Sequence, residues 1–221
     1  MTPPVPPASR LGVVSDRRRL AAAAGRPLAD AAALLVAQVE AAAAGQAGFF
    51  QLREPDLDAA ALLLLTRRLL EAAAGRTRLV VNDRADVAAA AGAAVHLKHR
   101  SLSPAHVRTW TPTTWISRAV HTAGEAHAAG PVDALVAGTA APTLSKPAGV
   151  STLGAVGLAA ISAATRVPVF AIGGLGPADW CWVAGSGAWG IAAIGAFLPR
   201  RGEDPGAAVA RALAAFVREI D

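Results

Sequence analysis

"RLVVNDRADVAAAAGAAVHLK", residues 78–98, decides the fold. Two short runs, "RLVVND" (78–83) and "AVHLK" (94–98), flank an alanine-rich interval, 86–92, with room for one short helix. Apolar runs of this length suit parallel strands covered on both faces. Each run also ends in polar residues, Asn82 and Asp83 in the first and Lys98 in the second. The stretch therefore reads as strand, helix, strand, with chemistry collected at one end.

The same pattern continues in both directions. "LGVVSD" (11–16), "FFQLRE" (49–54), "WISRAV" (115–120), "ALVAGT" (134–139), "PVFAIG" (168–173) and "GIAAIGAF" (190–197) bring the strands to eight. Helical segments separate them. "DAAALLVAQVEAAAAG" ends in Gly45 and "DLDAAALLLLTRRLLEAAAG" in Gly75, both stop signals. "SPAHVRTW" offers Ser103 as N-cap with Pro104 behind it, and "DPGAAVARALAAFVREI" closes the chain. Eight strands alternating with helices predict an α/β protein, a single-domain (β/α)8 TIM barrel over residues 11–221. An open doubly wound sheet accommodates eight units less well. Residues 1–10, "MTPPVPPASR", lack an apolar core segment and read as a disordered Pro-rich tail, not a signal peptide.

Composition excludes several classes. The chain has 221 residues, 53% hydrophobic and 17% charged, which describes a large packed core. The net charge is +5. Its basic residues are scattered apart from Arg17–Arg19 and Lys98–Arg100, and Tyr is absent, so nucleic acid is not the expected partner. The uncharged run "WCWVAGSGAWGIAAIGAFLP" (180–199) is broken by Gly and Ser, and reads as helix end, turn and buried strand, not a membrane span. One cysteine, Cys181 between two Trp, reads as an inert buried thiol in a reducing, cytoplasmic compartment.

In such a barrel the chemistry gathers at the C-terminal strand ends. Those ends read Asp16; Gln51, Arg53 and Glu54; Asn82 and Asp83; Lys98; His121; Thr139; Gly173 and Gly174; and Gly195. They point to one convergent site; rim solvation is the plain alternative. "AIGGLGPADW" (171–180) brings a Gly pair to the end of strand 7, and Gly195 ends strand 8. Missing side chains let a phosphate reach backbone N–H groups there. "GTAAPTLSKPAG" (138–149) carries Thr143, Ser145 and Lys146 over the mouth, a set suited to an anion or to a solvated loop. His121 could shuttle a proton or simply hydrogen-bond in place.

Together these stretches resemble the thiamine phosphate synthase and TenI family, from about residue 11 to 218. The resemblance is carried by "QLREP", "VNDRADVAAAAGAAVHLKHRSLS", "AVHTAGEAHAAG", "GTAAPTLSK" and "VFAIGGLGPAD" followed by "GAWGIAAIGAF". It implies a (β/α)8 barrel, a homodimer, and phosphorylated thiazole or pyrimidine small molecules as partners. Synthases of the family join a pyrimidine diphosphate to a thiazole phosphate with Mg²⁺. The resemblance then implies pyrimidine contacts from Gln51, Arg53 and Asn82, and Mg²⁺ on Asp83. Thiazole phosphate would lie on Thr143, Ser145 and the amides near Gly173, Gly174 and Gly195, with Lys146 reaching the diphosphate.

The chain departs from that pattern in three places. Pro55 stands where synthases read Lys in "QLREK". Lys98–His99–Arg100–Ser101 replaces a Gly-Gln-x-Asp whose Asp is the second metal ligand, and Ala119 replaces a Ser. Lys98 and Arg100 repel a divalent cation and attract a phosphate or carboxylate. The leading expectation is therefore a TenI-like thiazole phosphate tautomerase. His121 would be its proton shuttle, with Lys146 in the same catalytic set and no cofactor. The alternatives are an Mg²⁺-dependent synthase and a non-catalytic binder of thiazole or thiamine phosphates.

Overall fold

A computed structural model describes residues 7–143 and 151–220. Eight parallel strands close into a barrel, each paired with its sequence neighbour, and the last paired with the first. The strands are β1 (Leu11–Val14), β2 (Phe49–Leu52), β3 (Arg78–Asn82), β4 (Ala94–Leu97), β5 (Ile116–Val120), β6 (Ala134–Gly138), β7 (Val169–Ile172) and β8 (Gly190–Ala193). All eight expected strands form. The last is shorter than its apolar run, because Ile194 turns to αR and Gly195–Phe197 winds into a 3-10 turn. Arg53 also falls one residue past its strand, which ends at Leu52.

The helices among the described residues are α1 (Arg17–Ala24), α2 (Ala31–Ala44), α3 (Ala59–Ala73), α4 (Ala85–Ala91), α5 (Pro104–Trp110), α6 (Ala123–His127), α7 (Gly154–Ala163), α8 (Trp180–Gly185) and α9 (Pro205–Ile220). Polar side chains set their starts. Asp16 accepts from Arg19 N (3.1 Å), Asp58 from Ala61 N (2.8 Å) and Ser103 from His106 N (3.2 Å), each satisfying an orphan donor of the first turn. Gly45 stays at φ −82, and Gln46 takes the left-handed turn that the glycine was expected to supply. Of the tail, Pro7–Arg10 forms a 3-10 turn leading into β1.

The barrel has two apolar layers. Inside, Val14, Phe49, Val80, Ala94, Ala134, Val136, Phe170 and Ala192 fill the bore. Outside, alternate residues such as Leu11, Val13, Phe50, Leu52, Val81 and Val95 pack under the helices. Phe49 meets Phe170 edge-on at 5.1 Å. It fits because Gly12 lies beside it: a Cβ there would stand 2.1 Å from the Phe49 ring. At the N-terminal end the Arg78 and Arg10 guanidiniums stack over Trp115 and Trp189, at 4.7 and 4.6 Å. These two stacks lie at the end of the barrel opposite the C-terminal strand ends.

No single described helix is long and apolar enough to cross a membrane. The run 180–199 divides into α8, a turn and β8, as expected. Cys181 is exposed, contrary to the buried thiol expected from its Trp neighbours; it faces away from the Trp180 and Val183 side of α8 that packs inward.

Candidate active site

The mouth is built by parallel register. Asn82 pairs with His96, and His96 with Ser117, so these three side chains lie in one row around the barrel. Gln51, at the end of β2, donates from Nε2 to Asn82 Oδ1 at 3.0 Å. The bond leaves Gln51 Oε1 as an acceptor and the Asn82 NH₂ as a donor, side by side. Gln51 is buried and Asn82 half-buried, so the pair forms part of the floor.

His96 lies in the same floor and was read from the sequence only as strand. It is 5% exposed, and its Nδ1 is 2.9 Å from Ser117 Oγ. Burial, aided by the nearby Lys98 and Arg53 charges and opposed by Asp83, pushes its pKa down to about 4. The imidazole is neutral at pH 7. A polar residue inside a strand that faces the bore was the available sequence signal.

At the end of β3, Asp83 takes φ +68, and its N–H donates to His96 O at 2.7 Å. Both carboxylate oxygens are engaged: Oδ1 accepts from Ser101 Oγ, and Oδ2 meets Lys98 Nζ. Ser101 Oγ accepts in turn from Lys98 N at 2.8 Å. Burial pushes the Asp83 carboxyl up, but the Lys98 and Ser101 hydrogen bonds and the Lys98 charge outweigh it and hold the pKa below its usual range.

The Mg²⁺ implied by the resemblance does not fit these residues. Magnesium demands near-octahedral oxygen ligands. Here the Asp83 carboxylate, the ligand the resemblance assigns, is closed by an ammonium and a hydroxyl. No group of three His, Cys, Asp or Glu that could hold a metal occurs among the described residues.

Across the mouth, His121 Nδ1 faces Gly138 O at 2.5 Å. A carbonyl only accepts, so Nδ1 carries a proton, and in the neutral ring Nε2 keeps its lone pair. The His121 N–H donates to Glu125 Oε2 (2.7 Å), and Glu125 Oε1 lies 3.6 Å from His99 Nδ1.

The Gly pair after β7 is shaped by contact with the loop after β6. Ala141 N donates to Gly173 O at 2.9 Å, and both glycines have positive φ, 108 and 71. A Cβ on Gly174 would stand 2.2 Å from Pro142 O. Gly174→Ala is accordingly expected to cost about 2 kcal/mol, read as a drop in thermal midpoint, and to weaken binding of inorganic phosphate. An unchanged midpoint would mean that the loop can move aside freely.

Thr143 is half-buried on that loop, whereas Ser145 and Lys146 lie outside the described residues. Gly195 is exposed after β8, and the Arg19 guanidinium stands 3.9 Å from where its Cβ would be. Arg17 and Arg18 pair with Asp56, but no described residue forms an ion pair with Arg19. The triple-Arg run was visible in the sequence; which arginine stays available was not.

Glu54 ties β1 to β2. It accepts from Ser15 Oγ (2.5 Å) and from Arg17 N (3.1 and 3.2 Å), and Ser15 Oγ accepts from Arg53 N (2.9 Å). The main chain of Arg53, whose side chain is exposed at the rim, is therefore anchored through a buried carboxylate.

Comparison with known proteins adds a family. The profile described as Thiamine monophosphate synthase matches residues 26–197. A thiamine-phosphate synthase of Anaeromyxobacter dehalogenans (strain 2CP-C) is 42% identical over 185 residues, 82% of this chain and 82% of the relative. A thiamine-phosphate synthase of Laribacter hongkongensis is 39% identical over 187 residues, 80% of this chain and 84% of the relative. The solved structure of a thiamine phosphate pyrophosphorylase from Pyrococcus furiosus superposes with a TM-score of 0.77 at 28% identity, covering 96% of this chain and 97% of that one.

Proposed function

The chain belongs to the thiamine monophosphate synthase family, and from that premise we propose that it joins an aminopyrimidine methyl diphosphate to a thiazole phosphate. The order expected from sequence alone, tautomerase first, reverses, because relatives near 40% identity are named synthases. The observation that carries the reading is the Gln51–Asn82 pair. An aminopyrimidine edge sets a ring-nitrogen acceptor beside an amino donor. Asn82 NH₂ and Gln51 Oε1 complement the two in order.

In this reaction the bond from the methylene carbon to the diphosphate oxygen breaks, and the diphosphate leaves with the electron pair. The thiazole nitrogen lone pair then forms the new C–N bond. The chain's part is to hold the two ligands in line and to compensate the charge on the departing group. The amide pair orients the pyrimidine. Arg53 and Lys98 meet the diphosphate from the ends of β2 and β4. The Gly173–Gly174 turn, Thr143, Gly195 and Arg19 take the thiazole phosphate. Ser145 and Lys146 belong to the same proposal, as does the homodimer, which light scattering would test against a 22.2 kDa monomer.

The test is formation of thiamine phosphate by the full chain from the two substrates. Asn82→Leu, which removes the donor facing the ring, is expected to lower kcat/KM about 10- to 100-fold. No product from folded protein under any metal condition would remove the synthase. His121 favours a second reading: with Nδ1 tied to Gly138 O, its Nε2 is free to move a proton on a thiazole carboxylate phosphate. Turnover of that compound, abolished by His121→Ala, would establish the tautomerase instead. Saturable binding without turnover of either would leave a binder.

A further inference from the structure

We infer that the Lys98 ammonium, seated on Asp83, takes the place of a divalent cation in gripping the diphosphate, so that this chain needs no bound metal to do so. The inference rests on the synthase reading for its ligand. It stands on geometry: Asp83, just past β3, has Lys98 Nζ on Oδ2 and Ser101 Oγ on Oδ1. The arrangement is built into the chain. Ser101 N donates to Lys98 O (3.1 Å) and Lys98 N to Ser101 Oγ (2.8 Å), which closes the turn 98–101 and holds lysine and serine on the same carboxylate.

Charge and valence agree with this assignment. An ammonium has three donors, and Asp83 takes one. The Lys98 side chain is 55% exposed, so the remaining donors are open to a ligand. Asp83 and Lys98 cancel each other. Arg100 in the same turn and Arg53 just past β2 add two exposed cations near this end of the strands. A divalent cation would have to displace Lys98 and then sit beside it with one carboxylate for compensation. A diphosphate meets donors directly. Serine at position 101 suits the lysine form, because a neutral hydroxyl can donate to Asp83, whereas a second carboxylate there would repel it unless a cation lay between them.

The experiment uses the full chain and three readouts. Inorganic pyrophosphate, titrated calorimetrically in EDTA, is expected to bind saturably. Lys98→Met should raise its Kd about tenfold or more and leave inorganic phosphate binding at the glycine turn unchanged. Manganese paramagnetic resonance should show only free Mn²⁺ with the native chain, and bound Mn²⁺ with the Lys98→Gly/Ser101→Asp variant. Thiamine phosphate formation should proceed equally in EDTA and in Mg²⁺. Mn²⁺ bound to the native chain, pyrophosphate binding that requires Mg²⁺, or an unchanged Kd in Lys98→Met would each overturn the inference. Lys98-dependent pyrophosphate binding in EDTA, with no product under any condition, would uphold the lysine site and remove the synthase reading alone.

Discussion

Glu54→Ala is expected to lower the unfolding free energy by about 1–3 kcal/mol, the cost of leaving buried donors without their acceptor, and to reduce turnover along with it. The loss does not come from the carboxylate's own charge. Burial already pushes the Glu54 pKa up, against the Ser15 and Arg17 hydrogen bonds and the Arg17 charge that pull it down. It comes from what remains: the Ser15 hydroxyl and the Arg17 N–H lose their acceptor, while the Arg17 side chain keeps Asp56. Ser15 would then be free to rotate, and its acceptance from Arg53 N would weaken.

Glu54→Gln separates the two effects. It keeps one acceptor oxygen for Ser15 and Arg17 N and loses the charge and the second oxygen, so it should cost less than alanine. Urea unfolding of both variants, with kcat/KM measured beside it, reads the result. Equal stability of Glu54→Ala and the native chain would show that the cluster is held by something else.

The same cluster shows what the sequence could and could not reveal. "QLRE" could be placed at a strand end from its apolar neighbours, and the barrel followed from eight such runs. Side-chain alternation put Gln51 on the bore side. Pairing was not legible. Lys98 is visible as a charge next to a strand, but its partner Asp83 lies 15 residues earlier and meets it only because β3 and β4 are neighbours in register. Arg17 and Arg18 likewise pair with Asp56, 39 and 38 residues along the chain, while Arg19 reaches Gly195. The end of β8 was misjudged because "GIAAIGAF" is apolar throughout, and hydropathy does not record that Ile194 leaves the extended region. "VHL" concealed a site residue for the opposite reason: two aliphatic neighbours made His96 look like part of an ordinary core strand.

His96 gives the chain a specific weakness to acid. Its pKa in the folded chain is about 4, against an ordinary value of 6.5. Between those values the unfolded chain binds the proton and the folded chain does not. Stability is therefore full above pH 6.5 and falls as the pH drops toward 4, by about 1.4 kcal/mol per pH unit and about 3 kcal/mol in all. The sign is the reverse of a histidine that gains a carboxylate partner, because burial dominates here and outweighs the Asp83 charge.

His96→Gln keeps a polar group in the floor and has nothing to titrate. The difference in urea-unfolding free energy between the native chain and this variant should vary with that slope from pH 6.5 to 5, a range above the ordinary carboxylate region. A pH-independent difference would mean that the imidazole takes up its proton in place. Since Asn82, His96 and Ser117 share one row of the barrel, the charged imidazole must also disturb the amide pair above it. Pyrimidine binding by the folded chain should therefore hold from pH 6.5 to 5, where the imidazole stays neutral, and weaken only as the pH nears 4.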